Sequence, residues 1–164
     1  MNSFNQSVLS GRNQGCKFLA VTVMTIFSLI TANKLAVAAE AAGMVKTLKG
    51  SAEVERDGKR LPVSVGTEVF AKDRISTGNN SSVGLTLKDN TQISAGANAQ
   101  LELNKFSFNT TSHAGELDTS VKRGALSVIS GKVAKANPDA VRFNTGSVTL
   151  GVRGTEFIIE AGDE

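Results

Sequence analysis

Residues 147–160 read SVTLGVRGTEFIIE, a stretch of strand composition whose apolar residues change phase part-way along. Val148, Leu150 and Val152 fall on even positions, whereas Phe157 and Ile159 fall on odd ones. Successive side chains of a strand point to opposite faces, so one extra residue carries the apolar set to the other face. The switch falls at Arg153-Gly154-Thr155. Glycine takes backbone conformations that are costly for other residues, so the spacing predicts a β-bulge at Gly154, with Arg153 projecting at the bend. Two readings of Arg153 follow. In the structural one, which is preferred, its guanidinium bonds nearby carbonyls or a carboxylate, Asp73 or Glu156. In the functional one it is a candidate contact for an anion or a partner.

The segments before this stretch have the same character. SAEVER and KRLPVSV flank Asp57-Gly58, a pair that supplies the positive φ angles of a tight hairpin turn. Ala52 and Val54 alternate on one arm, and Leu61, Val63 and Val65 on the other. Pro62 has no N–H to donate, which puts its strand at an edge or at a strand start. Residues 66–82 read as turn-rich, with a short apolar piece at Val69-Phe70. Val83–Leu87 alternates cleanly, KDNT turns the chain into QIS, and a second phase change separates Leu101 and Leu103 from Phe106 and Phe108. Residues 109–116 form a polar loop, ALSVIS is a further strand, and Asn137-Pro138-Asp139 is a turn. Outside the N-terminal region no window has sustained helical periodicity. These features predict a single all-β domain over residues 43–160, a sandwich or a short β-roll or solenoid-like stack of short strands with bulges.

The N-terminus has a different composition. Arg12 and Lys17 precede the apolar run FLAVTVMTIFSLI, and small residues follow in LAVAAEAAG. A basic segment, an apolar segment shorter than a membrane span and an A-x-A-like site describe a signal peptide over residues 1–38, cleaved after Ala38 or Ala39. The expected location is therefore periplasmic or secreted, with no stable membrane span after cleavage. The formal charge of +3 resides in Arg12, Lys17 and Lys34, so the remaining chain is charge-balanced. The electrostatic case for a nucleic-acid partner disappears with the leader. The single cysteine, Cys16, precedes the apolar run, which leaves the exported chain without thiol or disulfide chemistry.

Enzyme chemistry finds little support. His113 is the only histidine and lies in the polar loop, and zinc needs several His or Cys ligands. No G-x-S-x-G element is present, and Ser130-Gly131-Lys132 lacks the companions of Ser–Lys catalysis. GALSVISGK has the wrong spacing for a phosphate loop, and Val133 stands where Ser or Thr is required. Asp57, Asp73 and Asp89 lack calcium-loop spacing and fit turns better. Lys59-Arg60 and Lys122-Arg123 read as solvated faces. No cofactor, metal or catalytic residue is expected.

Three stretches in fixed order resemble the FecR domain, a periplasmic domain of iron-siderophore signalling regulators. They are GSAEVERDGKRLPVSVG, VFAKDRISTGNNSSVGLTLKDNTQISAGANAQLEL and VRFNTGSVTLGVRGTEFIIE. Asp73, Thr77, Gly78, Asp89, Val152, Arg153, Gly154, Thr155 and Phe157 occupy the positions of the family pattern and take structural roles by that resemblance. Thr145-Gly146 replaces the family's usual Thr-Pro, and Asn90 a usual Gly. Family regulators also carry a cytoplasmic helical region and a C-terminal module, for which this sequence has no counterpart, so sigma-factor regulation does not carry over. The resemblance implies a non-enzymatic exported binding module of the bacterial envelope, in sensing or signalling, with an envelope protein as partner. The alternative is a carbohydrate- or small-ligand-binding β-domain, which the lack of Trp and Tyr disfavours.

Overall fold

A computed structural model describes residues 40–146, 148–151 and 156–162. Twelve strands follow one another: β1 (Gly43–Lys49), β2 (Ala52–Arg56), β3 (Lys59–Pro62), β4 (Glu68–Val69), β5 (Arg74–Thr77), β6 (Ser82–Leu87), β7 (Gln92–Ala95), β8 (Gln100–Phe108), β9 (Gly115–Ile129), β10 (Val141–Asn144), β11 (Thr149–Gly151) and β12 (Glu156–Ala161). One short helix, α1 (Lys132–Ala136), and a 3-10 turn at Pro138–Ala140 interrupt them. The fold is all-β, a curled, mainly antiparallel sheet that forms a half-barrel.

The registers give the curl its logic. β6 pairs with β1 while β5 pairs with β2, so β1–β2 and β5–β6 are two long lines side by side. β7 and β8 likewise lie end to end along the single long strand β9. β3–β4 runs along β2 and β1. The β1–β2, β5–β6, β7–β8 and β9 lines bend at their middles, at Gly50-Ser51, Gly78-Asn79, Gly96-Ala97 and Gly124 (φ 84°) respectively. A corner thus crosses the sheet and folds it into a β1 half (β4, β1, β6, β7, the end of β9, β12) and a β2 half (β3, β2, β5, β8, the start of β9, β10, β11). Between them lies one core, with Val45, Leu85, Ile93 and Leu126 from one half and Val54, Ile75, Leu101 and Phe143 from the other.

Several expectations are met. Asp57 (φ 51°) and Gly58 (φ 74°) make the tight turn between β2 and β3, and β3 with its Pro62 is an edge strand. The phase change before Phe106 is a register shift between Leu103 and Lys105, which leaves Asn104 as the extra residue. Others need correction. Residues 66–82 hold β4 and β5, not turns alone. Only Val63 of its arm is buried; Leu61 is exposed on the edge strand β3, and Val65 is exposed beyond the end of that strand. Residues 147–160 hold two separate strands: β11 pairs with β10, and β12 with the far end of β9. Val148 and Leu150 are exposed while Ile159 is buried, so the phase change accompanies a change of partner strand. The bulge expected at Gly154 lies outside the described residues.

Candidate functional site

Among the described residues of the sequence pattern, the polar side chains of Asp73, Thr77 and Asp89 are internal fasteners. Thr77 lies at the corner, 6 % exposed. Its hydroxyl donates to the Gly96 carbonyl at 2.6 Å and accepts from the Ala99 N–H at 2.8 Å, joining two of the bent lines. Gly78 continues the corner: its N–H donates to Ser51 O at 2.9 Å, and its carbonyl accepts from Asn98 N at 3.1 Å. A Cβ there would come within 2.5 Å of Ser51 Oγ. Ser81 Oγ accepts from Ser51 N at 3.0 Å. Arg123 Nε donates to Asn98 O at 3.0 Å, so this arginine braces the corner and is not simply a solvated charge. Lys59, Arg60 and Lys122 are exposed, as expected.

Asp89 is fully buried in the β6–β7 turn. One carboxylate oxygen accepts from Thr91 N at 3.0 Å, and the other from Thr91 Oγ1 at 2.6 Å and, more weakly, Val133 N at 3.4 Å. The Asp89 carbonyl accepts from Lys132 N at 2.8 Å. This aspartate therefore closes its own turn and attaches the start of α1. Short polar side chains that bond backbone two residues on favour such turns.

Asp73 holds the open mouth of the folded sheet, opposite the corner. Residues 70–73 cross from β4 in one half to β5 in the other. Arg56, at the end of β2, donates from Nε to Asp73 Oδ1 at 2.8 Å and from Nη2 to Oδ2 at 2.7 Å. The same Nη2 donates to Glu68 O at 3.0 Å, and Phe70 N donates to Asp73 Oδ2 at 2.8 Å. The guanidinium carbon sits 4.2 Å from the Phe70 ring centroid. The hydrogen bond to Asp73 raises the Arg56 pKa above its ordinary value. A bidentate guanidinium–carboxylate pair stacked on an aromatic ring is an arrangement lysine does not reproduce. Asp73 is thus paired with Arg56; Arg153, for which nearby carbonyls, Asp73 or Glu156 are the expected acceptors, lies outside the described residues, as do Val152, Gly154 and Thr155. Glu156 is exposed, and Phe157 packs edge-on against Phe143 with centroids 5.2 Å apart.

The other chemistry-bearing groups singled out in the sequence lie apart among the described residues. His113 is exposed at φ 58° and stacks on Phe108 with centroids 6.2 Å apart. Ser130 is buried whereas Lys132 is exposed. Among the described residues no group of His, Cys, Asp and Glu is arranged to hold a metal ion. Glu40 and Glu116 have lowered pKa values through hydrogen bonds from Lys88 and Lys105, both at the surface. A shallow groove lined by Phe106, Phe108, Asn109 and Glu116 lies beside the β8–β9 turn.

A family model, that of the FecR protein, matches residues 73–164, more than half of the chain. The chain belongs to the FecR family. The match begins at Asp73, the carboxylate that closes the mouth, and takes in Thr77, Gly78 and Asp89. The β2–β3 hairpin of this FecR-family chain lies outside the matched span. Family membership connects it with regulation and signalling at the cell envelope. No curated protein and no solved structure matches it.

Proposed function

We propose that this chain is a non-enzymatic, exported FecR-like binding module of the bacterial envelope, periplasmic or secreted, that engages another envelope protein in sensing or signalling. The observation that carries the reading is the use made of the shared residues. Asp73, Thr77, Gly78 and Asp89 have their polar groups turned into the scaffold, at its mouth, corner and turn. Residues so engaged maintain a frame; they do not meet a substrate. The surface that the frame carries is then the part that recognises a partner, as is common where a rigid scaffold positions exposed elements.

Export is the first testable part. The basic segment, the apolar run and the small-residue stretch give an exported chain that begins at Ala39 or Glu40. Mass spectrometry of the protein from the envelope fraction reads this directly. Recovery of the chain with Met1 intact and membrane-bound would overturn it. Binding is tested by crosslinking in intact cells: one reproducible protein adduct supports the module, and its absence with the protein folded and exported removes it.

A further inference from the structure

Among the described residues the sheet ends in four edges, and three are protected. β3 carries Pro62, Lys59 and Arg60, a missing donor and two charges of the kind that prevent further pairing. β4 is two residues long and β11 three. β12 has six residues, none of them Pro, Lys or Arg. Among the described residues it pairs only with β9, which leaves its other edge open. Its inner face is anchored, with Ile159 buried and Phe157 against Phe143. Its outer face presents Glu156, Ile158 and Glu160, and Ile158 is 71 % exposed.

The surrounding rows give the chemistry. Across β9 and β7, Glu156 faces Ile129 and then Gln92, and Ile158 faces Ser127 and then Ser94. Glu160 faces Ala125. Among the described residues no basic residue lies directly across the strands from either carboxylate. Ile129, 41 % exposed, lies diagonally beside Ile158 and extends the apolar spot. The outer face is therefore acid, apolar, acid at alternate positions. A second copy paired antiparallel about Ile158 would set Glu156 against Glu160 twice, and like charges directly opposite destabilise a strand pair. A strand with a basic residue at each end and an apolar one between reverses both signs.

We infer that β12 is a docking edge for an extended segment of a partner protein whose alternate residues read basic, apolar, basic. Main-chain hydrogen bonds along the open edge hold such a segment, and the alternate side chains select it. The two glutamates discriminate in both senses, since they oppose self-pairing and attract the basic strand. The inference rests on the reading of the chain as a binding module.

The test uses two labelled peptides blocked at both ends, Thr-Lys-Thr-Val-Thr-Lys-Thr and its counterpart with Glu for Lys. Each is titrated by fluorescence anisotropy into the protein as it accumulates in cells. The lysine peptide is expected to bind roughly tenfold or more tightly than the glutamate peptide, as two exposed charge pairs of changed sign allow. In the double variant Glu156→Lys, Glu160→Lys the preference is expected to invert. Both positions are exposed, and a circular dichroism spectrum confirms that the variant is folded. Equal binding of the two peptides, no binding at millimolar peptide, or a preference unchanged in the variant would overturn the inference. Sedimentation that shows dimers lost on Ile158→Asp would assign the edge to a second copy instead. A cellular crosslink to a partner that maps away from β12 removes this docking edge and leaves the binding module standing.

Discussion

Replacing Thr77 by valine removes one oxygen and keeps the shape. The buried Ala99 N–H would then lose its 2.8 Å acceptor and the Gly96 carbonyl its 2.6 Å donor. Leaving such groups unpaired costs about 1–3 kcal/mol. Thr77→Val should therefore lower Tm by several degrees, and Thr77→Ser should recover most of the loss; thermal melts of the pair measure it. His113 sets the opposite case. It is exposed and its one aromatic neighbour is Phe108. His113→Ala should change stability by less than about 1 kcal/mol and leave partner capture intact, since the side chain is exposed and alanine keeps a Cβ at the same left-handed φ. Loss of capture by a folded His113→Ala protein would reveal a site in the polar loop. At this scale the sequence was informative about turns, because Asp and Gly have local conformational reasons to be there. It was silent about Arg56. A lone arginine beside a hairpin turn has no periodicity and no motif, and its partner lies 17 residues away.

Among elements, the corner separates glycines that are needed for space from those needed for φ alone. Gly124 has φ 84°, and a Cβ there would come within 2.6 Å of the Ala99 Cα. Gly58 has φ 74° with nothing within 4 Å. Gly124→Ala combines left-handed strain of about 1–3 kcal/mol with a clash against backbone that cannot rotate away. Gly58→Ala meets the same left-handed cost of about 1–3 kcal/mol with no clash added. Chemical denaturation should rank them in that order, and equal losses would mean that the corner yields. The strands themselves were unequally legible. β6 alternates fully and is plain in the sequence, as is the Asp57-Gly58 hairpin. β5 hid in a turn-rich stretch because RIST offers only one large apolar residue, Ile75. The first part of β9 hid because its outward residues, Glu116, Asp118 and Ser120, outnumber the apolar ones that give the period. α1 is too short to show a helical repeat. In residues 147–160 the period change was real, but two strands with different partners produce it as readily as one strand with a bulge.

For the whole molecule, the corner and the mouth are distinct fastenings. The corner is held by backbone bonds, the Thr77 and Ser81 hydroxyls and the Arg123 contact to a carbonyl, whereas the mouth depends on an ion pair. Arg56→Ala would leave the Asp73 carboxylate, 1 % exposed, with no cation among the described residues. Removal of one partner from a fully buried pair costs about 3–5 kcal/mol. The Arg56 side chain is 32 % exposed, so water reaches it and the expected loss is nearer 2 kcal/mol. Arg56→Lys should fall between, because it keeps charge without the two-point contact. Urea melts of the three proteins test the order, and wild-type stability in Arg56→Ala would show that the mouth closes without the pair.

β9 has a further consequence when the molecule is considered as a graph of strand pairings. β7 and β8 attach along one side of it, and β10 and β12 along the other. Among the described residues, β12 has no other pairing, and the β10–β11 hairpin joins the sheet through β9 alone. β12 can therefore leave with the loss of a single ladder, whereas removal of β9 disconnects everything that follows it in the chain. The node with the most dependents is a continuous strand, and among the four leaves that hang by a single ladder, β3, β4, β11 and β12, the one held by the longest ladder is the strand whose open edge carries the exposed Ile158.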